Sequence, residues 1–496
     1  MAQAVKGWVG LVRSPELGLF LPVLVLPAYL FLGWNELLIL AAGLPLLALL
    51  LRWVLPPEGP VAVADQVIAT LDAALAGPAQ GRQTGCLVLQ FDTLQAVCDR
   101  LGRSRQSEIL AASVARIRGA LRPGDLLYAL EDGCLVIVLA PTERLDLESM
   151  VRIAGRLQLV AQQPMQLGPD TVQLTCCIGF CHARQIDGPN GQRLLDAAQV
   201  AADEATQHAP GAIRSYTVDL ARARADRDAL RGAFAAAVAE GQVRAHFQPQ
   251  VSTDSGAVSG MEALARWHHP ERGLLSPGAF LPALEDTDLV GLLGETMLTQ
   301  ALAALRGWDV AGLRVPSVSV NFSARELADP ELPERLTWHL DRHGLSPARL
   351  TVEVLESVVA KDGDDIIVRN IRRIADIGCG VDMDDFGTGN ASITSIRRFA
   401  LRRLKIDRSF VPAVDANREQ QQLITAILSL AERLGLETLA EGVETQGEHA
   451  MLAQLGCGHV QGYVVARPMP VEEVSPWLAD QRSRLADALR IDVRAR

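Results

Sequence analysis

In the second half of the chain, several apolar, β-branched runs end on or beside a polar residue that a strand core would not want. They are VSVN at Asn321, LTVEV at Glu353, GVDMDD at Asp384 and Asp385, RLKID at Lys405, TLAEGVE at Glu441 and HVQGY at Gln461. The runs recur at intervals of 20 to 36 residues, which mostly leaves room for an intervening helix. Repeated strand–helix units predict an α/β fold, and if the strands close into a barrel their C-terminal ends converge on one face. A lone strand-end carboxylate is more often a helix cap, and a lone lysine a snorkelling surface residue. Their recurrence on one predicted face reads as a site.

A length of 496 residues accommodates about three domains. The net charge of -11 argues against a chain that holds DNA or RNA by neutralising phosphates with a basic face. An anionic ligand would need local help, such as bound cations. Of the eight cysteines only Cys176, Cys177 and Cys181 cluster, inside an apolar strand-like run, which reads as buried reduced thiols in a reducing compartment.

The stretch from Leu17 to Leu51 is largely apolar and its only charge is Glu36, within GWNE at its middle. It is far longer than a bilayer core of about 30 Å requires, so two short spans turning at Trp34 to Glu36 fit better than one. Lys6, Arg13 and Arg52 flank it, and the positive-inside bias predicts both ends of this hairpin, and the domains that follow, on the cytoplasmic side of an inner membrane. The expected organisation is a membrane segment over residues 1–56, a linker helix over 57–83 and an α+β domain over 84–218. A linking helix over 219–228 and the barrel domain over 229–496 complete it.

The residues of the second domain also carry a resemblance. EALARWHHPERGLLSPGAFLPALE, from Glu262 to Glu285, resembles the motif that names the EAL family of cyclic-di-GMP phosphodiesterases, and FQPQV, VNFS, EVLES, DDFGTG, LKIDRSFV, AEGVET and QGYVVARPMP are similar to further family motifs. Together they cover essentially the whole second domain. The resemblance implies a (β/α)8-like barrel that hydrolyses cyclic-di-GMP to the linear dinucleotide pGpG with Mg2+ or Mn2+, two ions per site, and pairs with a second copy through this domain. Carried over by motif, Glu262, Asn321, Glu353, Asp384 and Asp385 would be the metal ligands. Lys405 and Glu441 would position and deprotonate the attacking water, and Gln248, Arg266, Glu444 and Gln461 would support the site or bind substrate. Glu356 resembles the family glutamate that anchors the loop after the aspartate pair.

The chemistry asks for these residue types independently of the resemblance. Hard cations need oxygen ligands, and a metal pair acidifies water while neutralising a phosphate. Adjacent Asp384 and Asp385 would repel one another without cations. The chain departs from the family at Asn390, Ala391 and Leu355, none of them a metal ligand by motif. The rival reading is a non-catalytic cyclic-di-GMP receptor or scaffold, opposed by the complete metal and base set.

In the preceding domain GCLVLQFDTLQAV, RPGDLLYALEDGCLVIVLAP and VQLTCCIGF read as strand-bearing units separated by helices, an α+β pattern whose order resembles the GGDEF diguanylate cyclase domain. The naming motif falls on EDGCL, with Gly133 and Cys134 in place of two acidic residues, and Gln90 stands where a metal-binding aspartate is expected. A degenerate domain without cyclase activity follows, which opposes a bifunctional enzyme. Arg122 and Asp125 keep the RxxD spacing of the family's inhibitory product site, a pattern that an ordinary turn also produces.

Overall fold

The computed structural model describes residues 60–76, 82–102, 105–130, 133–168, 170–285, 287–360, 365–389 and 393–495. The expected membrane hairpin lies outside these residues, as do Asn390 and Ala391. Among the described residues no helix is long and apolar enough to cross a membrane. The chain divides into two compact units, Met1–Arg224 and Ala225–Arg496.

The first unit is built on a five-stranded sheet in the order Leu126–Ala129, Leu135–Val138, Gly85–Phe91, Cys176–His182, Ile213–Ser215. Gly85–Phe91 runs antiparallel to both neighbours, and the last pair is parallel. Helices cover both faces, which is why its central strands are apolar without alternation. Leu87, Leu89, Leu135 and Ile137 pack with Ile117, Met150 and Leu157 of the helices Gln106–Ala120 and Leu147–Ala161. Cys86, Val88, Val136 and Val138 pack with Val67 and Leu71 of Pro60–Ala76 and Leu194 and Ala198 of Gly191–Gln207. The segment expected as a linker helix is thus partly a core helix. A β-carbon at Gly179 would overlap the backbone of Ala202, so a glycine in the strand lets the alanine-rich helix Gly191–Gln207 lie directly on the sheet. All eight cysteines are buried free thiols, and burial pushes Cys176 and Cys181 up to about 12.

In the second unit eight strands close into a barrel: Val243–Ser252, Val258–His269, Val318–Asn321, Leu350–Leu355, Gly380–Phe386, Arg403–Ile406, Glu437–Ala440 and His459–Val460. From the second strand to the eighth every pairing is parallel. The first runs antiparallel to both the second and the eighth, so this barrel is closed by one reversed strand. Val320, Val352, Val354, Val381 and Met383 point outward into a core shared with the surrounding helices. The intervening positions point inward and are polar: Thr351, Glu353, Asp382, Asp384, Arg403 and Lys405 are all buried. That period of two follows from the pleat.

The helix Val218–Ala239 is longer than the linking helix expected over 219–228. Its later turns bury Leu230, Phe234 and Ala237 in the second unit's core, where Phe234 meets Trp267 edge-on with ring centres 5.5 Å apart.

Candidate functional site

Lys405 is the centre of the site. Its side chain is fully buried, and its Nζ lies 2.6 Å from Glu441 Oε1, 2.9 Å from Glu353 Oε2, 2.9 Å from Asp384 Oδ1 and 3.6 Å from Glu262 Oε2. Four strands deliver these carboxylates: register places Glu353 beside Asn321 on one neighbour, and Leu355, two residues on, beside Asp384 on the other. Glu441 directly follows the strand Glu437–Ala440.

The contacts to Lys405 are close ion pairs crowded on one ammonium. Neither its Nζ, nor either oxygen of Glu353, nor Asp384 Oδ1, nor Glu441 Oε1 makes an aligned hydrogen bond among the described residues. Burying charge without directed partners is costly, and one ammonium cannot balance four carboxylates. Burial therefore pushes Glu441 up to about 8, against the pull of Lys405, and raises Glu353 well above the carboxylate range, with Glu262 adding to it. Burial also opposes the charge on Lys405, but Asp384, Glu262, Glu353 and Glu441 hold the ammonium protonated well above its ordinary range.

Two sets of carboxylates have oxygens within 4.8 Å of one another: Glu262, Glu353 and Asp384, and Asp384, Asp385 and Glu441. They share Asp384. Oxygen-only donors, surplus negative charge and orphaned buried carboxylate oxygens are what a hard divalent cation needs, so these residues fit one. Asp385 takes a φ of 55°, in the left-handed region, and burial with Asp384 and Asp407 nearby pushes its carboxyl up to about 6. Strain of this kind in a non-glycine residue clusters at functional sites.

Around the carboxylates the amides are directed. Asn321 Nδ2 donates to Glu262 Oε1 at 2.9 Å, and Gln461 Nε2 donates to Glu262 Oε2 and, at 3.2 Å, to Gln248 Oε1. Glu356 Oε2 accepts from the backbone N–H of Gly387 at 2.7 Å and of Gly389 at 3.1 Å, holding the loop that follows Asp385. The site opens into a cleft of about 1260 Å³ whose lining includes Gln248, Asn321, Asp385, Glu441, Glu444 and Tyr463. Glu444 is exposed on its rim, and Leu355 also lines it.

Of the expected site residues, Glu262, Asn321, Glu353, Asp384, Asp385, Lys405, Glu441, Gln248 and Gln461 are brought together. Arg266 is not among the residues lining the cleft and donates to the carbonyl of its neighbour Ala265, but Tyr463 and Glu262, which do line it, favour its charge against burial. Arg122 and Asp125 lie in the first unit. There Asp125 accepts from the backbone N–H of Arg122 and Ala140, as a turn aspartate does. Gln90 is bonded to Thr206 at 2.5 Å and to Asp203 at 3.3 Å, both on the helix Gly191–Gln207.

The motif reading passed over a second polar layer inside the barrel. Arg403, Asp382 and Gln250 sit two residues from Lys405, Asp384 and Gln248 on their strands, and all three are buried. The signal was present, because charged residues two apart in an otherwise apolar strand face the same way.

The family model described as EAL domain matches residues 228–468, and that described as Diguanylate cyclase, GGDEF domain matches residues 66–210. The chain is 30% identical to the oxygen sensor protein DosP of Escherichia coli over 79% of this chain and 48% of that protein. It is 31% identical to the bifunctional diguanylate cyclase/cyclic di-GMP phosphodiesterase MucR of Pseudomonas aeruginosa, over 79% of this chain and 57% of that one. The chain thus spans about half the length of the curated relatives it matches. A solved structure described as PaMucR phosphodiesterase, c-di-GMP complex, is 36% identical, with 50% of this chain and 99% of that chain covered and a TM-score of 0.48. The chain carries a GGDEF domain followed by an EAL domain.

Proposed function

We propose that the EAL domain hydrolyses cyclic-di-GMP to pGpG with divalent cations, Mg2+ or Mn2+. The observation that carries this reading is the convergence of Glu262, Glu353, Asp384, Asp385 and Glu441 in two oxygen clusters that share Asp384, with all but the buried Glu353 lining one cleft. The MucR relative, whose name includes that activity, supports the choice of substrate.

Cations held by Glu262, Asn321, Glu353, Asp384 and Asp385 would supply positive charge against an anionic phosphodiester and acidify water. Gln461 and Asn321 each donate to one oxygen of Glu262 and so fix its plane. Lys405 can only donate, which suits it to orienting a water or stabilising developing charge. Glu441, at 2.6 Å from that ammonium, is the carboxylate placed to take the proton. Glu356 keeps the Asp385 loop in register with the site.

The GGDEF domain is read as degenerate: at Gln90 an amide replaces a carboxylate and is already committed to Thr206 and Asp203. The hairpin over residues 17–51 is proposed to anchor the chain in a bacterial inner membrane with both soluble domains in the cytoplasm. The EAL domain is proposed to pair with a second copy. A cysteine introduced at Asn35 should react with an impermeant thiol reagent in whole cells, whereas labelling next to Arg52 instead would refute that topology.

The reaction is tested by incubating the purified chain with cyclic-di-GMP and Mg2+ or Mn2+ and following pGpG. Formation of pGpG, abolished by a chelator and restored by the metal, is expected. Binding of cyclic-di-GMP with metal and no turnover would replace the phosphodiesterase with a receptor.

A further inference from the structure

We propose that Gln250 and Arg403, in the layer beneath the cleft, are positioning residues that fix which end of the Gln461 amide faces Glu262. This rests on the reading of Glu262 as a cation ligand.

The residues form one directed chain. Arg403 Nη1 donates to Gln250 Oε1 at 3.0 Å, Gln250 Nε2 donates to Gln461 Oε1 at 2.9 Å, and Gln461 Nε2 donates to Glu262 Oε2. A guanidinium has donors only and a carboxylate acceptors only, while each amide between them has one end of each kind. Two amides can join a donor-only end to an acceptor-only end in one orientation alone. The charge at the bottom of the barrel therefore demands the same orientation as Glu262 does, with an N–H, and not a carbonyl oxygen, meeting that carboxylate. Gln248 reinforces that orientation from the side, since its Oε1 accepts from Gln461 while its own Nε2 donates to the Ala466 carbonyl at 3.0 Å.

The lower layer is built to hold Arg403 still. Its side chain is only 4% exposed, and it contacts Asp382 Oδ2 at 3.7 Å and Glu437 Oε2 at 3.1 Å, while Arg402 reaches Asp382 from the other side at 3.3 Å. Asp382 is fully buried. Burying such a pair contributes little to stability compared with well-packed apolar side chains, so stability alone does not account for it. Room for the relay comes from Gly260, where a β-carbon would stand 2.9 Å from Gln250 Oε1 and 3.3 Å from Ser317 Oγ.

Gln250→Glu separates polarity from packing. It keeps the shape and still accepts from Arg403, but it has no donor for Gln461, whose Oε1 then faces a carboxylate and whose amide is pulled against the orientation that Glu262 and Gln248 favour. Mn2+ binding to the full chain, measured by calorimetry without substrate, should weaken about tenfold or more, the usual scale for groups that orient a metal ligand. Gln250→Met, which leaves only Glu262 and Gln248 to orient Gln461, should weaken binding less. Arg403→Lys, which keeps a cationic donor, should lie near wild type, and Gly260→Ala should weaken binding through crowding alone. Thermal unfolding of Gln250→Glu is expected within a few degrees of wild type. Wild-type Mn2+ affinity in Gln250→Glu, or equal losses in Gln250→Glu and Gln250→Met, would overturn the relay. Because the affinity is read without substrate, the relay is decided whether or not the chain turns over cyclic-di-GMP.

Discussion

The Glu441 carboxylate lies 2.6 Å from the Lys405 ammonium, and that ammonium also touches Glu353 and Asp384 at 2.9 Å. Burial pushes Glu441 up to about 8 even so, and the pull of Lys405, joined by that of bound cations, is what would let this carboxyl give up its proton after each cycle. Glu441→Gln removes the acceptor and keeps the shape. Turnover of cyclic-di-GMP should fall about 10²-fold or more, the scale of general acid–base contributions, with substrate affinity largely kept. Near wild-type turnover in this variant would remove Glu441 from the base role.

Asp384 belongs to both carboxylate clusters, so Asp384→Asn weakens both at once. Its defect should recover in part at high Mg2+ or Mn2+, while that of Glu441→Gln should not. A metal titration of initial rates separates the two, and identical metal dependence would show that Asp384 holds no cation.

Glu356 uses a single oxygen, Oε2, to accept from both Gly387 and Gly389. Glu356→Ala should free the loop that follows Asp385 and lower turnover about tenfold, whereas Glu356→Gln keeps one acceptor oxygen and should recover part of it. Gly387 has a φ of 102°, and a β-carbon there would meet the Phe410 ring at 2.5 Å. Gly387→Ala should therefore cost about 1–3 kcal/mol of backbone strain and lower both the melting temperature and turnover. An unchanged melting temperature would mean that the loop yields without cost.

The barrel and its upper ring were legible because the sequence repeats one pattern, an apolar strand closed by a polar residue, and repetition survives the weakness of each instance. Two things were not legible. The reversed first strand leaves no mark in FQPQV itself, since alternation reads the same in either direction. The lower layer was obscured because Asp382 and Arg403 look like interruptions of a strand until the barrel supplies each with a partner. Likewise the helix Pro60–Ala76 read equally well as a spacer, because the surface that buries Val67 and Leu71 comes from elsewhere in the chain.

In the GGDEF domain, Gln90 is neutral and engaged by Thr206 and Asp203. The purified chain incubated with GTP and Mg2+ should make no cyclic-di-GMP, measured with Glu441→Gln in place so that product is not consumed. Accumulation of cyclic-di-GMP in that variant would restore the cyclase.

His459 gives the barrel a pH dependence away from the cleft. Burial is the main reason that its imidazole is pushed down to about 4; Arg403 and Arg402 add to the shift, and Glu437 and Asp254 oppose it. An unfolded chain takes up this proton near pH 6.5, while the folded chain does so only near 4. Between those values the unfolded state binds more protons at this position, so the His459 contribution lowers stability as pH drops from about 6.5 to about 4 and adds no further decline below that. His459→Gln has no proton to bind and should show a shallower decline over that window, with the difference from wild type vanishing above pH 7 apart from a constant offset. Denaturant unfolding at a series of pH values reads this directly, and parallel curves for the two proteins would show that His459 titrates alike in both states.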